Sequence, residues 1–293
     1  MIDHNRFDYS PMARRPRLSL PNGARIAVWV IPNVEYFPFD MPSTPINPAC
    51  THLVPDVLNF SWRDYGTRVG IWRIMDTLDE AGIKGTVATN ALVCDHFPAF
   101  MEEAMKRGWE FMGHGMTNAR GMGGMNEQDE RETIFQSVEK LTKSTGKSPK
   151  GWLGPALAET MRTPDLLKEA GLEYVSDWVN DDQPYYMKTL HGPLVSMPYT
   201  IELNDIQMFL RGGYTPEQYY RMLMDQFEVL YEEGTRTARV MGISLHPFIM
   251  GVAYRNKYLR RALLEIASAR DVWLATGSEI VSWFKEALPW KEV

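Results

Sequence analysis

Short apolar runs alternate with amphipathic helical stretches along almost the whole chain, and this alternation limits its folds more than any other feature. ARIAVWVI at 24–31 is β-branched and continuous, the pattern of a strand buried on both faces, and Pro32 follows it. GTVATNAL, WEFMGHG, KGWLGP, LEYVSDW, LVSMPY, RVMGISLHP and DVWLAT read as further strands. Between and after them, stretches such as RVGIWRIMDTLDEAGI, EQDERETIFQSVEKLTKSTG, TPEQYYRMLMDQFEVLYEEG and NKYLRRALLEIASA read as helices. Strand then helix, repeated about seven times with short connections, predicts a parallel sheet, either a barrel or doubly wound. No glycine-rich dinucleotide fingerprint follows the first strand, which weighs against the doubly wound form. Residues 37–64 are proline-rich and aperiodic, and read as a long surface excursion. Nothing divides the chain, so residues 1–293 are expected to form one domain.

The net charge of −6 argues against a nucleic-acid or anionic-membrane partner, either of which would call for a basic face. Cys50 and Cys94 have no C-x-x-C spacing and are expected to be reduced thiols. There is no apolar leader at the N-terminus and no run of about eighteen apolar residues, which points to a cytoplasmic protein.

Polar residues gather where the strands end. Glu35 follows the first, and His114 and Asn118 follow WEFMG. Trp152 lies in KGWLGP, and Asp177, Asp181 and Asp182 follow YVS. Asn204 and Asp205 follow MPYTIEL, and His246 ends VMGISL. In a parallel barrel the carboxyl ends of the strands open on one face, so residues far apart in sequence converge there. Two histidines and a carboxylate at three strand ends suit acid–base chemistry. The spacing of His114 and Asn118 is that of a two-histidine metal site, but asparagine stands in the second place.

NVEY at 33–36, HGMTN at 114–118, GWLGP at 151–155, SDW at 176–178 and SLHP at 244–247 resemble, in order, the motifs of the polysaccharide deacetylase superfamily. That resemblance implies a distorted (β/α) barrel with seven or eight strands. YGTRVGIWR at 65–73, SDWVNDDQPYY at 176–186, MPYTIELND at 197–205 and YEEG at 231–234 resemble a narrower branch, the metal-independent allantoinases and cyclic imide hydrolases. The branch implies hydrolysis of a small cyclic amide, and relatives in it form homotetramers. In the metal-dependent branch the ligands are an aspartate and two histidines. The counterparts here are Glu35, His114 and Asn118, so either no metal or a weakly held divalent ion such as zinc is expected.

On this reading Glu35 activates water, with its pKa raised by the apolar strand end, while His246 protonates the leaving nitrogen and His114 orients the reactants. Asn118, Trp152, Trp178, Asp182, Tyr199, Asn204 and Asp205 are expected to bind the substrate, and Arg68 or Arg255 to meet a carboxylate on it. The alternatives are a metal-dependent N-deacetylase of acetylated amino sugars or peptidoglycan, and a ligand-binding relative without catalysis.

Overall fold

A computed structural model describes residues 4–41 and 52–291. Among the described residues, nine strands form one sheet: β1 Ile26–Val34, β2 Thr86–Thr89, β3 Glu110–Gly113, β4 Gly151–Trp152, β5 Tyr174–Val175, β6 Tyr185–Met187, β7 Leu194–Ser196, β8 Arg239–Leu245 and β9 Val272–Leu274. The order is β6-β7-β5-β4-β3-β2-β1-β8, with β9 also pairing β1. Every pairing is parallel except β6 with β7. The sheet curls into a parallel-dominated half-barrel with helices around it, in line with the barrel expected from sequence.

The antiparallel β6 comes from QPYYM, a segment not among the strands expected from sequence. It hairpins onto β7, placing Tyr186 beside Val195. The first strand also runs beyond the expected stop at Pro32. That proline faces Leu245 at the last β1–β8 pairing, and β1 then pairs through Asn33 and Val34 with β2 on its other edge. A residue without an N–H is tolerated where the ladder changes partner.

The helices are α1 Val57–Tyr65, α2 Ile71–Glu80, α3 Val93–His96, α4 Pro98–Lys106, α5 Glu127–Thr145, α6 Thr163–Glu169, α7 Pro216–Glu233, α8 Pro247–Met250, α9 Ala253–Ser268 and α10 Gly277–Ala287. The expected 37–64 loop is therefore partly helical: Asp56 caps α1 by accepting the Asn59 N–H at 3.0 Å. Cys50 lies outside the described residues, and Cys94 is a free thiol. Among the described residues, no helix is long and apolar enough to cross a membrane.

The two-residue period of the strands sorts the core into layers. Ile26, Val28 and Val30 pack outward with the helices, alongside Phe111, Met241, Ile243 and Leu245. Ala27, Trp29 and Ile31 pack into the barrel with Met112 and Val240. Continued past the strand ends, the inward set reaches position 35 after β1, 114 after β3 and 246 after β8.

Candidate active site

That period brings the three expected residues to one mouth. Glu35, His114 and His246 all line a cavity of about 410 Å³, walled by Phe37, Trp62, Leu153, Tyr199 and Phe248. The Glu35 side chain is only 5% exposed. Its Oε1 lies 3.5 Å from His114 Nε2 and 3.7 Å from His246 Nε2. Asn118 Nδ2 donates to the same oxygen at 2.6 Å.

His246 is held firmly. Its backbone N–H donates to Asp205 Oδ2 at 2.6 Å, and its ring Nδ1–H donates to Asp205 Oδ1 at 2.6 Å. Asp205 is fully buried, so this pair is set in low dielectric. Burial alone would lower the histidine pKa, but Asp205 and Glu35 outweigh it and raise it above the ordinary 6.5. The shift favours the imidazolium form, in which Nε2–H faces Glu35.

The YGTRVGIWR segment explains how this histidine is fixed in place. Between α1 and α2 the backbone makes a widened turn over Gly66–Gly70, packed against the turn after His246. A Cβ on Gly66 would come within 2.7 Å of the Phe248 nitrogen, and one on Gly70 within 2.1 Å of the Pro247 oxygen. Arg73 spans the same contact, donating to the Gly251 carbonyl at 2.9 Å and to the Tyr65 hydroxyl. Most of this segment is a brace for His246 rather than a wall of the cavity.

Glu35 departs from expectation. Burial does push its pKa up, but His246, His114 and Arg63 together outweigh burial and leave it below the ordinary 4.5. The expected raised value is corrected: this carboxylate is ionised at neutral pH because its neighbours, His246 foremost, favour the charged form. Arg63 is the contributor that sequence missed. It comes from α1, lines the cavity and stacks its guanidinium 3.8 Å from the Phe37 ring centre. Burial lowers its pKa to about 10, which leaves it charged. It falls in a segment without periodicity, so no spacing marked it.

The expected substrate-binding residues divide. Asn118, Tyr199 and Asn204 line the cavity, and Asn204 Nδ2 donates to the Tyr199 hydroxyl at 3.0 Å. Asp205 turns away from the cavity to His246. Trp152 is fully buried in the core, its ring over Gly113, where a Cβ would meet it at 2.6 Å. Trp178 packs edge-on against Phe7 and faces a different cavity. Asp182 lies at the opposite end of β8: its carbonyl accepts the Val240 N–H, some six residues and about 20 Å of strand from His246. Arg68 is exposed beside Asp64, and Arg255 lies over the rings of Phe209 and Tyr254. Neither lines the cavity.

The proposed metal ligands are a poor match to a zinc centre. Glu35 and His114 offer two good donors, but the third place holds the neutral amide of Asn118, whose nitrogen already donates to Glu35. Among the described residues, no group of three or more His, Cys, Asp and Glu is arranged to hold an ion. Two buried acceptors do lack a partner, His114 Nε2 and Asn118 Oδ1. His114 Nδ1 donates to the Leu153 carbonyl at 2.5 Å, so on the neutral ring Nε2 carries a lone pair. These acceptors suit the hydrogens of water or of a substrate N–H.

With this geometry in place, the chain can be set beside the known proteins it is similar to. The polysaccharide deacetylase family profile matches residues 59–175. A Schizosaccharomyces pombe protein provisionally named a polysaccharide deacetylase is 28% identical, over 78% of this chain and 76% of its own length. The Helicobacter pylori peptidoglycan deacetylase is 23% identical, over 78% of this chain and 88% of its own. The crystal structure of PuuE allantoinase superposes with a TM-score of 0.87 at 25% identity, covering 97% of this chain and all of that one. Profile, relatives and neighbour together support the polysaccharide deacetylase superfamily for this chain. Both curated relatives are named as deacetylases, hydrolases of carbon–nitrogen bonds.

Proposed function

We propose that this hydrolase opens a small cyclic amide, an imide or ureide, by attack of water on a ring carbonyl. One observation carries the reading. Within a single cavity, an ionised Glu35 lies 3.7 Å from His246 Nε2 and 3.5 Å from His114 Nε2, with Asn118 Oδ1 open beside them. An imide edge presents carbonyl oxygens beside an N–H, the complement of that arrangement. Glu35 takes a proton as the water oxygen bonds to the ring carbon, and His246 hydrogen-bonds the oxyanion and then protonates the nitrogen as the C–N bond breaks. An imide nitrogen leaves as a stabilised anion, so its barrier is lower than that of an ordinary amide. The cavity volume, about 410 Å³, is in the range of small-molecule sites. The structural likeness to an allantoinase supports the same choice.

A second reading is favoured by the names of both curated relatives: removal of acetyl groups from amino sugars or peptidoglycan. The comparisons weigh towards this reading, and the donor set weighs towards the first. A substrate panel separates them, with cyclic imides, hydantoins and allantoin in one arm, acetylated chitooligosaccharides and peptidoglycan fragments in the other, and metal content measured on the same preparation. Turnover of the cyclic arm by metal-free protein is the expected result. Turnover confined to the acetylated arm and dependent on added metal sinks the first reading. The first reading also carries a cytoplasmic homotetramer acting on a small molecule, with no nucleic-acid or membrane partner; sedimentation velocity tests the assembly.

A further inference from the structure

The two-residue period that carries Glu35, His114 and His246 to the cavity delivers a fourth side chain, from β7. Val195 and Met197 pack into the barrel, and Tyr199 continues that inward set past the end of the strand. Tyr199 is buried, with 4% of its surface exposed, and it lines the cavity. Among the described residues, it carries the one hydroxyl on that lining.

Its neighbour fixes the direction of its hydrogen bond. Asn204 Oδ1 accepts the Ile206 N–H at 2.9 Å, so the other end of the amide, Nδ2, faces the phenol and donates to it at 3.0 Å. An amide nitrogen cannot accept in return, so this contact leaves the Tyr199 proton unused. Ser244, the buried hydroxyl one strand period below His246, has no hydrogen-bond partner, so the proton does not go there. Both Asp205 oxygens are taken by His246. Burial holds the phenol pKa above the ordinary 10, which keeps the proton in place through the neutral range. The cavity is the side on which it remains to be used.

Water attack on a carbonyl makes an oxyanion, which a low-dielectric site must meet with donors. His246 Nε2–H is one, but its proton leaves when the nitrogen is protonated. The other amides of the wall are spent: Asn118 Nδ2 donates to Glu35, and Asn33 Nδ2 to the carbonyls of Ile31 and Leu245. His114 donates through Nδ1 to Leu153 and offers the cavity only a lone pair.

We propose, resting on the water attack described above, that Tyr199 is a catalytic residue whose O–H donates to the reacting carbonyl oxygen. As the water oxygen bonds to the carbon and its proton passes to Glu35, the π pair of the carbonyl moves onto oxygen, where Tyr199 hydrogen-bonds it and keeps its own proton. When the C–N bond breaks, that pair re-forms the carbonyl, and the His246 proton goes to the nitrogen. Two donors then serve two atoms.

The test is Tyr199→Phe, which keeps the ring and removes only the hydroxyl. With the fold intact by circular dichroism, kcat should fall about 10²–10³-fold. KM should stay within about twofold, because the bond is made in the transition state. Both limbs of the pH profile should stay where wild type has them, since Glu35 and His246 are untouched. The assay uses whichever arm of the substrate panel wild type turns over, as an oxyanion forms in both. Turnover confined to the acetylated arm, with the same loss in Tyr199→Phe, would sink the cyclic-amide reading and uphold the role of Tyr199. Near wild-type kcat in Tyr199→Phe, a rise in KM alone, a displaced pH limb, or no turnover of either arm by wild type would each overturn the proposal.

Discussion

Two acid sites lie on either side of the 153–157 turn, and their carboxyls are shifted in opposite directions. Glu35 is hemmed in by His246, His114 and Arg63 and is pulled below the ordinary carboxylate range. Glu159, partly buried, and Asp177, buried, are pushed above it. Burial acts in the same direction on all three carboxyls, so it cannot account for the difference. The neighbours decide it: His246, His114 and Arg63 offset burial at Glu35, whereas at Glu159 and Asp177 burial is the largest influence and is not offset. The cavity therefore holds an ionised carboxylate, while the acids behind the turn are shifted towards the protonated form.

The most severe way to break this comparison is to remove the ionised member. Glu35→Gln keeps shape and hydrogen bonding but cannot take a proton from water, and kcat is expected to fall about 10²–10⁴-fold with the fold intact by circular dichroism. Next in size is the acid. Asp205→Asn removes the anion that keeps His246 charged, and a loss of about 10²-fold in kcat is expected. It also shifts the pH profile. In wild type, activity rises as Glu35 ionises below 4.5 and declines only above 6.5, as His246 loses its proton. Without Asp205 the alkaline limb moves to lower pH, and a limb that stays put removes His246 from the role of acid.

Arg63 sharpens the comparison with a smaller effect. Replacing it with glutamine removes one cation near Glu35 but leaves His246 and His114, which contribute more. The acidic limb of kcat/KM should then move up towards neutral pH, with a loss of about tenfold or less at neutral pH. An unmoved limb would mean that Arg63 serves only to pack against Phe37.

What sequence could show follows from periodicity. Glu35, His114 and His246 sit on strand extensions, where a two-residue period and parallel strands place them on one face. Their meeting was therefore legible before any coordinates. Asp205 was picked out, but its partner was not, because which way a loop carboxylate turns depends on contacts that chain order does not encode. Trp178 and Asp182 were misplaced for a related reason: their segment leaves β5 to form the β6 hairpin and reaches the far end of β8. Arg63 and Glu159 were silent, the first on a helix inside an aperiodic stretch, the second in an irregular turn. Their importance lies in tertiary electrostatics.

The smallest expected effect is the response to chelation, and it tests the cationic half of the comparison from another direction. If His246 and Arg63 supply the positive charge that keeps Glu35 ionised, an added ion has little left to neutralise. Prolonged dialysis against a chelator should change kcat by less than about twofold, because two strong donors and a carboxamide are a poor zinc site. Asn118→His supplies the missing imidazole and removes the amide that donates to Glu35. It should bind zinc measurably by elemental analysis where wild type does not. Zinc retained at one equivalent by wild type, with activity lost on its removal, would show that Asn118 serves as a ligand and that the charge balance around Glu35 includes a metal.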